Sequence, residues 1–208
     1  RLSRFGSRVA FVDENFSQID RVLKELGIDG IDGVVADLGM SSFQIERSGR
    51  GFSFLRDEPL DMRMDPRLRF TARSLVNEMD EDEISKILRV WAKRISKEIV
   101  KSRREKPIET TLQLAGIVSD AIPKKFHPLG IHPATRTFQA LRIYVNDELK
   151  SLEIFLKKAI PILSVGGRIV VISFHSLEDR LVKNAFREFA LPCICPPEMP
   201  RCGCGKRS

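Results

Sequence analysis

Residues 33–44, Gly-Val-Val-Ala-Asp-Leu-Gly-Met-Ser-Ser-Phe-Gln, carry the reading of the fold. A short apolar run, Val34-Val35-Ala36, stops at a carboxylate, Asp37, and Gly39 and two adjacent hydroxyls, Ser41 and Ser42, follow. An apolar run bounded in this way reads as a buried parallel strand opening into a polar turn. Open α/β sheets bind ligands at the carboxyl ends of their strands, where Asp37 would accept hydrogen bonds from a ligand. The competing reading makes Asp37 the cap of a turn or helix, a common use of aspartate with a glycine close behind.

Outward from this stretch the same grammar recurs. Val9 to Val12 reads as a strand, and Phe16 to Leu26 as a helix with apolar residues at 16, 19, 22, 23 and 26, ended by Gly27. Strand, helix, strand is half of a doubly wound sheet. Downstream, Leu141, Val145, Leu149, Leu152, Leu156, Ile160 and Leu163 recur at helical steps, predicting one long helix over 134–163 that Gly166 and Gly167 stop. Arg168 to Phe174 follows as a second buried strand with polar residues at its end, Ser173, His175 and Ser176. Ser176 with Asp179 predicts the cap of a last helix. If both strands lie in one sheet, their polar tips share one rim.

Between 57 and 131 no strand is convincing. Thr71, Asp80 with Glu83, and Thr110 with Gln113 have the spacing of helix caps, and Pro123 ends the last of these helices. The helix near 91–104 carries two opposed stripes, Trp91, Ile95 and Ile99 against Lys93, Lys97, Lys101 and Arg104. This stretch reads as a helical insertion.

Composition narrows the partners. The chain has 208 residues, 42% of them hydrophobic, and a net charge of +7. That excess points to a polyanion, nucleic acid first, with a merely lysine-biased surface as the plainer account. No apolar run approaches the roughly 18–20 residues that span a bilayer, and no signal-peptide pattern opens the chain, so no membrane partner and a cytoplasmic location are expected. The chain begins at Arg1, in what reads as a helix end, so a preceding segment is expected. Its four cysteines all lie within 193–204, which is no secreted disulfide framework and fits a reducing compartment. The pairs Cys193-x-Cys195 and Cys202-x-Cys204 offer four thiols to zinc at a tighter spacing than structural sites use; metal binding and incidental thiols both stay open. Oligomeric state is not legible.

Several chemistries lack their motifs. His175 beside Ser173, Ser176 and Asp179 looks superficially like a hydrolytic triad, but residues 178–180 begin a helix and no Gly-x-Ser-x-Gly elbow exists. Neither a Walker loop nor G-x-G-x-x-G occurs. In Pro59-Leu60-Asp61-Met62-Arg63-Met64-Asp65-Pro66, Arg63 either orders its loop by pairing with an aspartate or contacts a phosphate or base.

DGVVADLGMSS, RGFSF, PLDMRMDP, HPATRTFQALRIYVNDEL and GGRIVVISFHSLEDRLVK, in this order and spacing, resemble the S-adenosylmethionine-dependent methyltransferases of small-subunit ribosomal RNA. That family methylates the exocyclic N4 of a cytidine near the decoding centre. The resemblance covers nearly the whole chain. It implies a Rossmann-like class I methyltransferase domain, 1–56 and 132–208, interrupted by a helical domain, 57–131, that recognises RNA. It implies S-adenosyl-L-methionine as cofactor, with Phe16 against its adenine and Asp37 and Gln44 on polar parts of the cofactor or lining the transfer site. Candidates for the acceptor of an N4 proton are Asp37, Ser42 and His175, in that order. Candidates for the RNA are Arg63 and the row Lys93, Lys97, Lys101 and Arg104, and the partner is small-subunit ribosomal RNA or the assembled subunit. Three departures stand out. The family's Gly-rich cofactor loop and ribose-binding acid lie upstream of residue 1, and a few family residues, Gly and Glu among them, are missing where Val90 meets Trp91. The family also continues past Ser208. The alternative is a non-catalytic RNA-binding or ribosome-assembly protein on the same scaffold.

Overall fold

The computed structural model describes residues 3–191, together with 195 and 203. Three of the four cysteines, Cys193, Cys202 and Cys204, lie outside the described residues, so the zinc expectation does too. The chain divides into two compact units, one of residues 1–39 and 149–208, the other of residues 40–148. The second unit is wider on both sides than the 57–131 expected.

The first unit is built on a parallel pair, β1 (Ile31–Asp37) and β2 (Leu163–Ile172). Their register aligns Val34 with Ile169 and Asp37 with Ile172, so both strands end side by side. Leu38 extends the pairing, its N–H donating to the Ile172 carbonyl at 3.1 Å. Alternate residues of both strands, Val34, Ala36, Ile169 and Val171, pack on Leu152, Phe155, Leu156 and Val182. The opposite residues, Val35, Val170 and Ile172, are exposed among the described residues. The strands are thus half-covered rather than buried on both faces.

Three sequence expectations are corrected here. Val9 to Val12 is not a strand: no described strand runs beside it to take its backbone bonds, and Phe11 is 76% exposed. The helix expected over 16–26 opens as a single 3-10 turn, Phe16–Gln18, and continues as α1, Ile19–Glu25. The glycine pair does not stop a helix, because it lies inside β2. Gly166 has φ +85°, and a Cβ on Gly167 would come within 2.9 Å of the Ser164 carbonyl oxygen. The glycines admit the irregularity through which the register shifts between Ile31 and Gly33.

The second unit is helical. Its elements are α2 (Ser42–Arg47), α3 (Ala72–Glu78), α4 (Glu81–Ile87), α5 (Ala92–Glu105), α6 (Thr111–Ala121) and α7 (Thr135–Val145). Thr71, Asp80 and Thr110 each close a reciprocal capping box, as their spacing predicts. Leu75, Val76, Ile84, Ile95, Ile99, Leu114, Val118, Phe138 and Leu141 form one continuous core. The long helix expected over 134–163 is two: α7 stops at Val145, and α8 begins at Glu148 and ends at Ala159. Asp147, at φ +50°, makes the break, a conformation aspartate tolerates better than most residues.

Candidate functional site

At the rim of the parallel pair, Asp37 is the last residue of β1 and is exposed. It does not cap the next helix; Ser41 does, its hydroxyl accepting from the Gln44 N–H at 3.3 Å. Among the described residues the Asp37 carboxylate accepts no hydrogen bond, so its oxygens are available to a ligand. Two residues on, Gly39 adopts φ +86°, and a Cβ there would stand 3.1 Å from the Phe174 ring. A bare backbone is therefore needed where the chain leaves the rim.

The neighbouring strand end brings His175 to the same rim. Its role differs from the sequence expectation, since His175 and not Ser176 is the N-cap of α9, Ser176–Ala190. The imidazole Nδ1 accepts from the Glu178 N–H at 3.4 Å, and the buried Nε2 lies 3.3 Å from Glu178 Oε1, a distance at which a protonated ring pairs with the carboxylate. Glu178 is buried, and its other oxygen accepts from the Phe174 N–H at 2.9 Å. One buried carboxylate thus fixes the backbone before the histidine and stands beside the ring. Sequence reasoning passed over Glu178; the His-x-x-Glu spacing at a helix start was the signal for it.

Phe16 also belongs to the first unit. Its ring makes an edge contact with Phe155, centroids 5.3 Å apart, yet 40% of the residue stays exposed, leaving apolar surface for a flat ligand. A strand-end carboxylate, a bare-backbone turn and a half-exposed aromatic suit the polar and adenine parts of S-adenosylmethionine.

In the helical unit, Ser42 is the exposed first residue of α2, and the Gln44 side-chain Oε1 accepts from the Ser41 N–H at 3.0 Å. Arg63 is taken up by its own loop. Its guanidinium donates to both Asp61 oxygens, at 2.7 and 2.9 Å, and to the carbonyls of Pro66 and Leu68, so the geometry supports loop ordering over a phosphate contact. Lys93, Lys97, Lys101 and Arg104 are exposed along α5, while Ile95 and Ile99 are buried. Lys101 also lies 3.6 Å from Glu98.

The parallel pair, with an exposed carboxylate at the carboxyl end of β1, defines an α/β protein whose strand ends are the candidate site. A family model described as the MraW methylase family matches residues 1–208. Curated proteins agree. Ribosomal RNA small subunit methyltransferase H of Geobacter sulfurreducens is 55% identical over 210 residues, covering 99% of this chain and 68% of that protein. The protein of the same name from Clostridioides difficile is 52% identical, covering 100% and 68%. That from Symbiobacterium thermophilum is 51% identical, covering 99% and 66%. This chain belongs to the MraW methylase family and is a methyltransferase. Among its described residues no helix is long and apolar enough to cross a membrane.

Proposed function

We propose that this chain methylates the exocyclic N4 of a cytidine in the decoding region of small-subunit ribosomal RNA. In this reading the parallel pair belongs to a Rossmann-like class I domain, and the helical unit is an inserted RNA-recognition domain. The observation that carries it is the exposed, uncommitted Asp37 carboxylate at the end of β1, in a family whose relatives are named for the small-subunit RNA.

S-adenosyl-L-methionine, when bound, supplies an electrophilic methyl. A cytosine amine is a poor nucleophile because its lone pair is delocalised into the ring. The protein must therefore draw on an N4 proton and hold the amine in line with the methyl. Asp37 is the first candidate for that acceptor, Ser42 the second and His175 the third. His175, whose Nδ1 is engaged by the Glu178 N–H and whose Nε2 lies 3.3 Å from the Glu178 carboxylate, is better suited to shaping the rim than to taking a proton. Phe16 lies against the adenine, and Asp37 and Gln44 serve polar parts of the cofactor. A base must leave its stack to reach such a site. The α5 row follows the RNA backbone, and the substrate is either the RNA or the assembled small subunit.

The test incubates the protein with labelled cofactor and unmodified small subunits, then maps the product. N4-methylcytidine at one position is expected. Asp37→Ala should lower transfer by roughly 10²–10⁴-fold with the far-UV spectrum unchanged. Normal turnover in a folded Asp37→Ala protein would remove Asp37 from the site, and no product with any RNA would favour the non-catalytic alternative.

A further inference from the structure

A second candidate site lies within the helical unit, at the start of α5. A groove there is lined by Val90, Trp91, Ile95, Phe126, Ile131 and Arg136, among others. Trp91 stands at the N-cap of α5 in the left-handed region, φ +58°, with no side-chain cap bond. A bulky residue in that region is strained, and such strain persists only where surroundings impose it. Here the indole meets the Phe126 ring, centroids 5.1 Å apart and tilted by 46°. Phe126 is 51% exposed, and Val90 and Ile131 are exposed beside it. A left-handed Trp91 and the Phe126 ring thus meet at an open apolar groove.

The collar of this groove is cationic. The Arg94 guanidinium lies 5.8 Å from the Trp91 ring centroid, and the Lys125 ammonium 5.0 Å from that of Phe126. Arg136 lines the groove, Lys124 adjoins Phe126, and among the described residues no carboxylate lines it. Apolar walls with aromatic faces and cations at the edge fit a flat π-system carried on a polyanion, with Glu98 and Asp120 confined to the neighbouring pocket beyond Arg94. We propose that this groove takes an unstacked nucleobase of single-stranded RNA, a step that rests on the RNA-methyltransferase reading above. A duplex keeps its base faces inside the stack and offers nothing to such a groove, whereas a single strand splays them out. The lysine row of α5 begins at Lys93, just beyond the groove, so phosphates flanking a seated base have a basic track to follow.

Trp91 is the single tryptophan of the chain, so its emission reports the groove directly. The probes are a short cytidine–uridine single strand, the same strand paired to its complement, and inorganic polyphosphate as a polyanion without bases. Expected are saturable quenching by the single strand, weaker quenching by the duplex and none by polyphosphate. Phe126→Ala should weaken single-strand binding roughly five- to 150-fold, and Phe126→Tyr, which keeps the ring, should restore it. Equal quenching by polyphosphate would reduce the groove to a charge effect and overturn the proposal. Single-strand binding with silent Trp91 emission and full affinity in Phe126→Ala would overturn it while leaving the RNA substrate intact. Failure to bind any RNA, together with failure to methylate small subunits, would overturn both.

Discussion

One carboxamide, that of Asn146, holds three backbone groups. Its Nδ2 donates to the carbonyls of Met62 and Arg142, and its Oδ1 accepts from the Met64 N–H at 2.7 Å. Met62 is fully buried and left-handed, φ +61°, so these bonds pin a strained segment from the side. Asn146→Ala would leave buried backbone groups without partners, at roughly 1–3 kcal/mol each. A loss of roughly 2–5 kcal/mol is expected in urea unfolding, far beyond a surface change. Beside it, burial works to raise the Asp61 carboxyl, but the hydrogen bonds and charge of Arg63 outweigh that and hold it below the usual carboxylate range. A carboxyl whose folded pKa lies below its unfolded value adds stability that is present above the unfolded pKa. That stability is lost as pH falls through the folded value. Asp61→Asn should therefore be less stable than the parent at pH 7, and the difference should shrink as acid takes the pH below about 4. A constant difference across that range would assign the loss to packing alone.

At the scale of elements, α5 joins core and surface in one helix. Ile95 and Ile99 are buried, while Lys93, Lys97, Lys101 and Arg104 face solvent. If the row tracks RNA, each lost phosphate contact lowers the salt slope by roughly 0.7–0.9. Lys97→Ala with Lys101→Ala should weaken RNA binding and flatten its salt dependence, with cofactor affinity unchanged. Parent-like affinity and slope would leave the row a solvated surface. The α7–α8 pair shows why periodicity misled. Leu141 and Val145 belong to the core of the helical unit, and Leu152 and Leu156 to that of the sheet unit. Two helices serving two cores each need an apolar stripe, and the stripes join in the sequence as though they were one.

For the molecule as a whole, each unit owns its core. Every residue of the larger cluster falls within 40–145, and every residue of the smaller within 19–186 outside that span. The larger core draws on five capped or packed helices and on a tight crossing where Gly51, φ +71°, would carry a Cβ only 2.3 Å from the Pro59 carbonyl oxygen. Residues 40–148 produced alone should therefore unfold cooperatively, with a sigmoidal urea transition and dispersed amide resonances. A gradual transition would show that the helical unit depends on the rest of the chain.

The sequence by itself determined what local chemistry controls. Capping boxes at Thr71, Asp80 and Thr110, the two faces of α5, the apolar strand ending at Asp37 and the family motifs were all legible, because each depends on residues a few positions apart. Tertiary structure decided what depends on distant partners. Val9 to Val12 had strand-like residues but no described neighbour to bond. The glycines at 166 and 167 read as the stop of a helix until β1 lay beside them and placed them inside β2. Ser176 read as the cap of the last helix until His175 took that place, and Arg63 stood open between ordering its loop and contacting a phosphate until its loop took up the guanidinium. A side chain's type sets what it can bind, and only the folded chain sets what comes within 3 Å of it.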